Sequence, residues 1–336
     1  MYRSQVLLKY GLKLLLSLYV TSSFGQNNEN NMKKDTPLLC DMEKGMCVSL
    51  FSTEDSSHLN QVINDSKMIS ITYFTDPICS SCWGIEPQLR KLKLEYGAYF
   101  SMEYKMGGLL PSWNGFMSGG ISKPADVAKH WDIASEHYEM PIDGDVWLED
   151  PLVSSYPASI AFKAAALQGK HEAALFLRKV KEMVFLEKKN ISQWKYLLEA
   201  AKSVGLDELK FRLDYEEKAP KLFQEDLALA RKNQVRGFPT LFFSANDQEQ
   251  QTILYGSKAY AYFEKAILTH CPNAKKYNYS KSPEVLFSYF PTMTTKEFAV
   301  LSEVSMTEAK ATLLALFKEH KIRHYQVKNG DLWLAK

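Results

Sequence analysis

The run Ile69-Ser70-Ile71-Thr72-Tyr73-Phe74 leads into Cys79-Ser80-Ser81-Cys82 and on into Trp83-Gly84-Ile85-Glu86-Pro87-Gln88-Leu89. The first stretch carries the β-branched and aromatic residues of a buried strand, and the last is compatible with a helix. Two cysteines separated by two residues, where a strand feeds a helix, form a reversible dithiol rather than a structural staple. Cys79 falls over the first turn, where unpaired backbone N–H groups and the positive end of the helix dipole stabilise a thiolate. It is the expected nucleophile. Cys82, one turn on and toward the packed side of the helix, is the expected resolving thiol.

A second motif lies far downstream. In Val235-Arg236-Gly237-Phe238-Pro239-Thr240-Leu241-Phe242-Phe243 a proline stands at the mouth of a short apolar β-type run, where it cannot donate to a sheet ladder. Pro239 reads as a cis X-Pro bond, which leaves the Phe238 backbone free to pair with an extended peptide beside a reactive sulfur. A trans proline opening an edge strand is the alternative.

These residues carry a resemblance. Thr75-Asp76-Pro77-Ile78-Cys79-Ser80-Ser81-Cys82-Trp83-Gly84-Ile85-Glu86-Pro87, then Gly107-Gly108-Leu109, then Arg236-Gly237-Phe238-Pro239-Thr240, resemble the DsbA family of thioredoxin-fold proteins over about residues 68–270. The similarity is greatest to the FrnE-like branch, which includes bacterial adaptors that deliver the regulator Spx to the ClpXP protease. The resemblance implies catalytic Cys79 and Cys82 with a substrate-holding Pro239, and a groove to which Phe238 and Trp83 contribute. It implies polypeptide substrates with thiols or disulfides, a redox partner protein, and no cofactor or metal. Ser80-Ser81 replaces the Pro-His of the strongly oxidising members, so their redox potential does not carry over.

The implied class is α/β: a thioredoxin fold with an inserted helical domain, plus a small winged-helix-like C-terminal unit. Within about residues 68–272, strands are read at 69–75, 99–106, 239–244 and 251–255, with helices at 82–96 and 258–269. The insertion, about 120–234, shows six stretches of helical apolar spacing. In DsbA-like proteins such a cap covers the dithiol. Residues 285–336 read as two helices, the second capped at Ser305 with Glu308, followed by a hairpin turning at Asn329-Gly330. Lys310, Lys318 and Lys321 stand beside Glu308 and Glu319, so a basic recognition face is weak; an interaction or packing module is the better reading, and nucleic acid is not an expected partner.

Forty-one Lys and Arg against 39 Asp and Glu give no argument for an anionic partner. Residues 1–25, basic then apolar then small, read as a secretory signal peptide too interrupted by lysine for a stable membrane span. With Met1 as the true start, the protein is expected in the periplasm or outside the cell. A retained amphipathic tail, or initiation at Met32 with cytoplasmic residence, are the alternatives. In the linker 26–67, Cys40 and Cys47 read as a small disulfide loop or a resolving pair; free thiols, or a zinc site shared with Cys79 and Cys82, are the competing readings. Cys271 is left over. Trp113, Phe116 and Met117 read equally as a polypeptide groove or as packing; Trp131, Trp147 and Tyr156 read as packing. Glu86 reads as a solvated helix carboxylate, or as a proton acceptor for Cys82 if buried.

Overall fold

The computed structural model describes residues 39–41, 46–48, 69–245 and 250–336. The leader and most of the linker read from the sequence lie outside the described residues. Strands β1 (Leu39–Asp41) and β2 (Met46–Val48) pair antiparallel, with the Cys40 backbone opposite that of Cys47; their side chains also lie outside the described residues. Among the described residues, no helix is long and apolar enough to cross a membrane.

Strand β3 (Ile69–Thr75) lies inside the sheet, and none of its residues is exposed. It pairs parallel with β4 (Phe100–Met106) and antiparallel with β5 (Thr240–Ala245), which pairs antiparallel with β6 (Gln251–Tyr255), giving the order β4-β3-β5-β6. Ile69, Ile71 and Tyr73 bury against Leu89, Leu92, Phe263 and Ile267. On the other side Phe74 meets Phe242 edge-on at 5.7 Å and packs with Ala230.

The parallel β3–β4 pair requires a crossover, supplied by α1 (Ser80–Gly84) and α2 (Glu86–Tyr96). A single helix was expected here. Pro87 divides it: proline lacks an N–H and its ring collides with the carbonyl four residues back, that of Trp83, which accepts the Ile85 N–H instead.

Between β4 and β5 stand seven helices: α3 (Pro124–Tyr138), α4 (Val146–Glu149), α5 (Tyr156–Ala166), α6 (Lys170–Phe185), α7 (Trp194–Ser203), α8 (Glu208–Glu217) and α9 (Ala219–Lys232). Their shared core includes Trp131, Trp147, Phe162, Phe176 and Phe185. After β6, α10 (Tyr260–His270) returns across the sheet to the face that α2 covers.

The C-terminal module comprises α11 (Pro283–Tyr289), β7 (Thr292–Thr294), α12 (Thr295–Ser302), α13 (Met306–Lys318), β8 (Ile322–Val327) and β9 (Gly330–Ala335). Its sheet order is β7-β9-β8. The two helices and the hairpin follow the sequence reading, whereas α11 and β7 were not anticipated, β7 being three residues that run straight into a helix cap. Its core, around Phe287, Phe298, Leu313 and Trp333, also takes in Leu94 of α2, so the module is built onto the helix that follows the dithiol.

Candidate functional site

Cys79 is the N-cap of α1. Its backbone is extended and its sulfur accepts the Cys82 N–H at 3.2 Å, as expected of a cysteine over a helix start. The Cys79 thiol in turn reaches the Phe238 carbonyl at 3.6 Å, and the Phe238–Pro239 bond is cis. Strand β3 and the mouth of β5 are neighbours in the sheet, which brings these distant segments together. Both cysteines are reduced and buried, Cys79 5% and Cys82 0% exposed.

Burial reverses one expectation. It pushes the Cys79 thiol up, reinforced by the Cys82 sulfur, even though the Cys82 N–H works the other way. Burial would also raise Cys82, but the hydrogen bond with Cys79 and the Lys181 ammonium outweigh it and hold this thiol below its ordinary value. Lys181 is fully buried and ion-paired with Glu86 at 2.7 Å, so Glu86 is not the solvated carboxylate read from the sequence. The buried Tyr73 and Thr75 hydroxyls lie beside Cys82 and also help to hold its thiol down. Lys181 was legible in principle, since it occupies the apolar stripe of α6 between Leu177 and Val184.

The other predicted residues divide. Phe238 is half-buried, with its ring laid over Gly107. Trp83 is 0% exposed, donates its indole N–H to the Pro141 carbonyl at 3.0 Å and stacks on Phe185, so it has no surface to offer a substrate. Its place in a substrate groove is corrected: a large apolar ring on the inner face of α1 goes to the core. Trp113 donates to the Leu152 carbonyl at 2.8 Å and packs edge-on to Trp147, while Met117 is 82% exposed, so that loop is packed at one end and open at the other. Trp131 and Trp147 are core.

A Cβ at Gly107 would lie 1.9 Å from the Phe238 ring. Gly107→Ala should therefore push that ring aside and cost about 1–3 kcal/mol, measured by chemical denaturation, with slower reaction at Cys79 because the Phe238 carbonyl moves with it.

A family profile described as Thioredoxin matches residues 73–265. An adapter of Halalkalibacterium halodurans named ClpXP adapter protein SpxH is 34% identical over 88% of this chain and 96% of its own length. The Bacillus subtilis protein of the same name is 32% identical over 80% and 89%. The chain belongs to the SpxH family. A crystal structure named for a protein disulfide isomerase of Nitrosomonas europaea superposes with a TM-score of 0.53 at 18% identity, covering 60% of this chain and 97% of that one, which shows the shared fold.

In this SpxH-family chain the C-terminal module is held to the dithiol region by a buried ion cluster that sequence reading did not find. Glu297 of α12, 0% exposed, takes a bidentate pair from Arg178 of α6 at 2.6 and 3.0 Å and a third contact from Arg90 of α2 at 3.2 Å. Arg178 also bonds Glu182 at 2.7 Å and lies 4.4 Å over the Trp83 ring. Burial would raise the Glu297 carboxyl, but the two guanidinium groups hold it below its ordinary range. Arg90, buried and facing Arg178, is pushed down to about 10.

Proposed function

We propose that the chain captures a partner polypeptide beside Cys79 and acts on it by thiol–disulfide exchange, within the adapter architecture of its family. The observation that carries this is the Cys79 sulfur lying 3.6 Å from the carbonyl that precedes Pro239. Backbone groups at that point can pair with an extended chain and hold its sulfur against the reacting thiol. Cys79 attacks one sulfur of a partner disulfide, forming a mixed disulfide and expelling the other partner sulfur as a thiolate. Cys82 then attacks the Cys79 sulfur, releasing the second partner thiolate and leaving a Cys79–Cys82 disulfide, so two electrons pass from dithiol to partner. Run backward, the same steps oxidise a partner dithiol. Lys181, paired with Glu86, stabilises Cys82 as the attacking thiolate.

The test is a redox titration against glutathione buffers with thiol trapping. A Cys79–Cys82 pair titrating as a two-electron couple, at roughly −120 to −270 mV, is the expected result; no titratable pair would remove the exchange reading.

A second reading, a protein adapter without chemistry, is favoured by relatives that match nearly the whole chain, where the disulfide isomerase structure covers 60% of it. In that reading the chain presents a partner such as Spx to ClpXP, and residence is cytoplasmic with initiation at Met32. Accelerated degradation of Spx by ClpXP, undiminished in a Cys79→Ser, Cys82→Ser chain, would support the adapter alone.

A further inference from the structure

We propose that Asp76 is a positioning residue for Cys79: its buried carboxylate ties the dithiol turn, the glycine loop and the helical insertion together next to the reacting sulfur. The inference rests on the reading of Cys79 as the reacting sulfur. Asp76 is 0% exposed. One carboxylate oxygen accepts the Ile78 N–H at 3.1 Å, within the turn that delivers Cys79. The other accepts the Leu109 N–H at 2.7 Å and the Ser155 hydroxyl at 2.9 Å. Ser155 belongs to the entrance of α5, and its N–H and hydroxyl close on the Leu110 carbonyl and N–H at 2.9 and 3.1 Å. The Asp76 backbone carbonyl accepts the Cys79 N–H at 3.1 Å. Three segments distant in sequence thus meet on one side chain.

The titratable groups around Asp76 are Cys79, with Cys82 behind it on α1, and Tyr156 on α5, which burial and then the Asp76 charge push up. The glycine loop Gly107-Gly108-Leu109 offers backbone only. The cations of the same elements are paired elsewhere: Lys163 of α5 with Asp226 of α9 at 2.8 Å, and Lys105 of β4 with Glu103 at 2.5 Å and Asp226 at 3.7 Å, while Arg231 acts on Tyr156. Burial pushes the Asp76 carboxyl up to about 6, against the hydrogen bonds that favour its charged form. Cys79 therefore meets a neighbour that is neutral in mild acid and negative at neutral pH.

The experiment measures iodoacetamide alkylation of Cys79 by peptide mass spectrometry from pH 4.5 to 9.5. It uses the full chain carrying Cys82→Ser, so that Cys79 titrates without its partner. Asp76→Asn is expected to move the Cys79 midpoint to lower pH by about one unit, roughly tenfold faster alkylation where the thiol is mostly protonated, and to abolish the inflection near pH 6. Ser155→Ala keeps the charge but removes one donor from it, so the same inflection should move to higher pH. Superimposable profiles for the parent and Asp76→Asn would overturn the proposal, as would an unmoved inflection in Ser155→Ala if Asp76→Asn does not fold. Shifted profiles together with a failed redox titration would sink the exchange reading and leave Asp76 as the group that governs the Cys79 proton.

Discussion

Replacing Glu297 by alanine is expected to lower the unfolding free energy by about 3–5 kcal/mol. The change leaves Arg178 and Arg90 buried without their common carboxylate. It also breaks the capping box in which Glu297 accepts the Thr294 N–H at 2.7 Å at the start of α12. Removing one member of a buried ion pair is costly because the remaining charge keeps its desolvation penalty and loses its compensation. Glu297→Gln retains the shape and an oxygen for the cap, so it should recover part of the loss. Chemical denaturation measures the total. Hydrogen exchange should locate the loosening in α12, β7 and α2, the elements that Glu297, Thr292 and Arg90 join. Equal stability of the alanine variant and the parent would show that the module does not depend on this cluster.

The Cys82→Ser chain, incubated with a disulfide-bearing client, is expected to accumulate a covalent mixed disulfide through Cys79, and Cys79→Ser to form none. The asymmetry follows from position. Cys79 lies at the helix cap facing Phe238, while Cys82 is completely enclosed, so a client sulfur can meet only the first. Without Cys82 the mixed disulfide loses its intramolecular attacker and persists. Non-reducing electrophoresis with mass spectrometry reads the adduct. An adduct on Cys82 in the Cys79→Ser chain would reverse the assignment of the two thiols, and its absence from every variant would leave the family's adapter role without exchange chemistry.

Local patterns carried the reading of the strands and of most helices. β6 occupies the expected residues 251–255, and α3 occupies 124–138, opening on the proline that marked its start. The cis bond at Pro239 was legible only by joining two distant motifs, since a proline before an apolar run is by itself usually trans and it was the strand–dithiol–helix unit that favoured cis. The errors arose where one residue's role depends on a distant partner. Glu86 looked like any carboxylate on a helix until Lys181, on the far side of the insertion, came to pair with it. Trp83 looked like a groove residue until Pro141, Phe185 and Arg178 enclosed it.

The sequence by itself determined the order of the principal strands and helices, the dithiol at a strand-to-helix junction and the proline that opens β5. Backbone dihedral limits, side-chain periodicity and capping act within a few residues and are written locally. Only the tertiary structure decided which sulfur lies nearer the surface, which charges are buried, and that the C-terminal module is fastened to the helices around the dithiol. Those properties depend on desolvation and on Coulomb pairing between residues such as Arg178 and Glu297, which no local pattern can bring together.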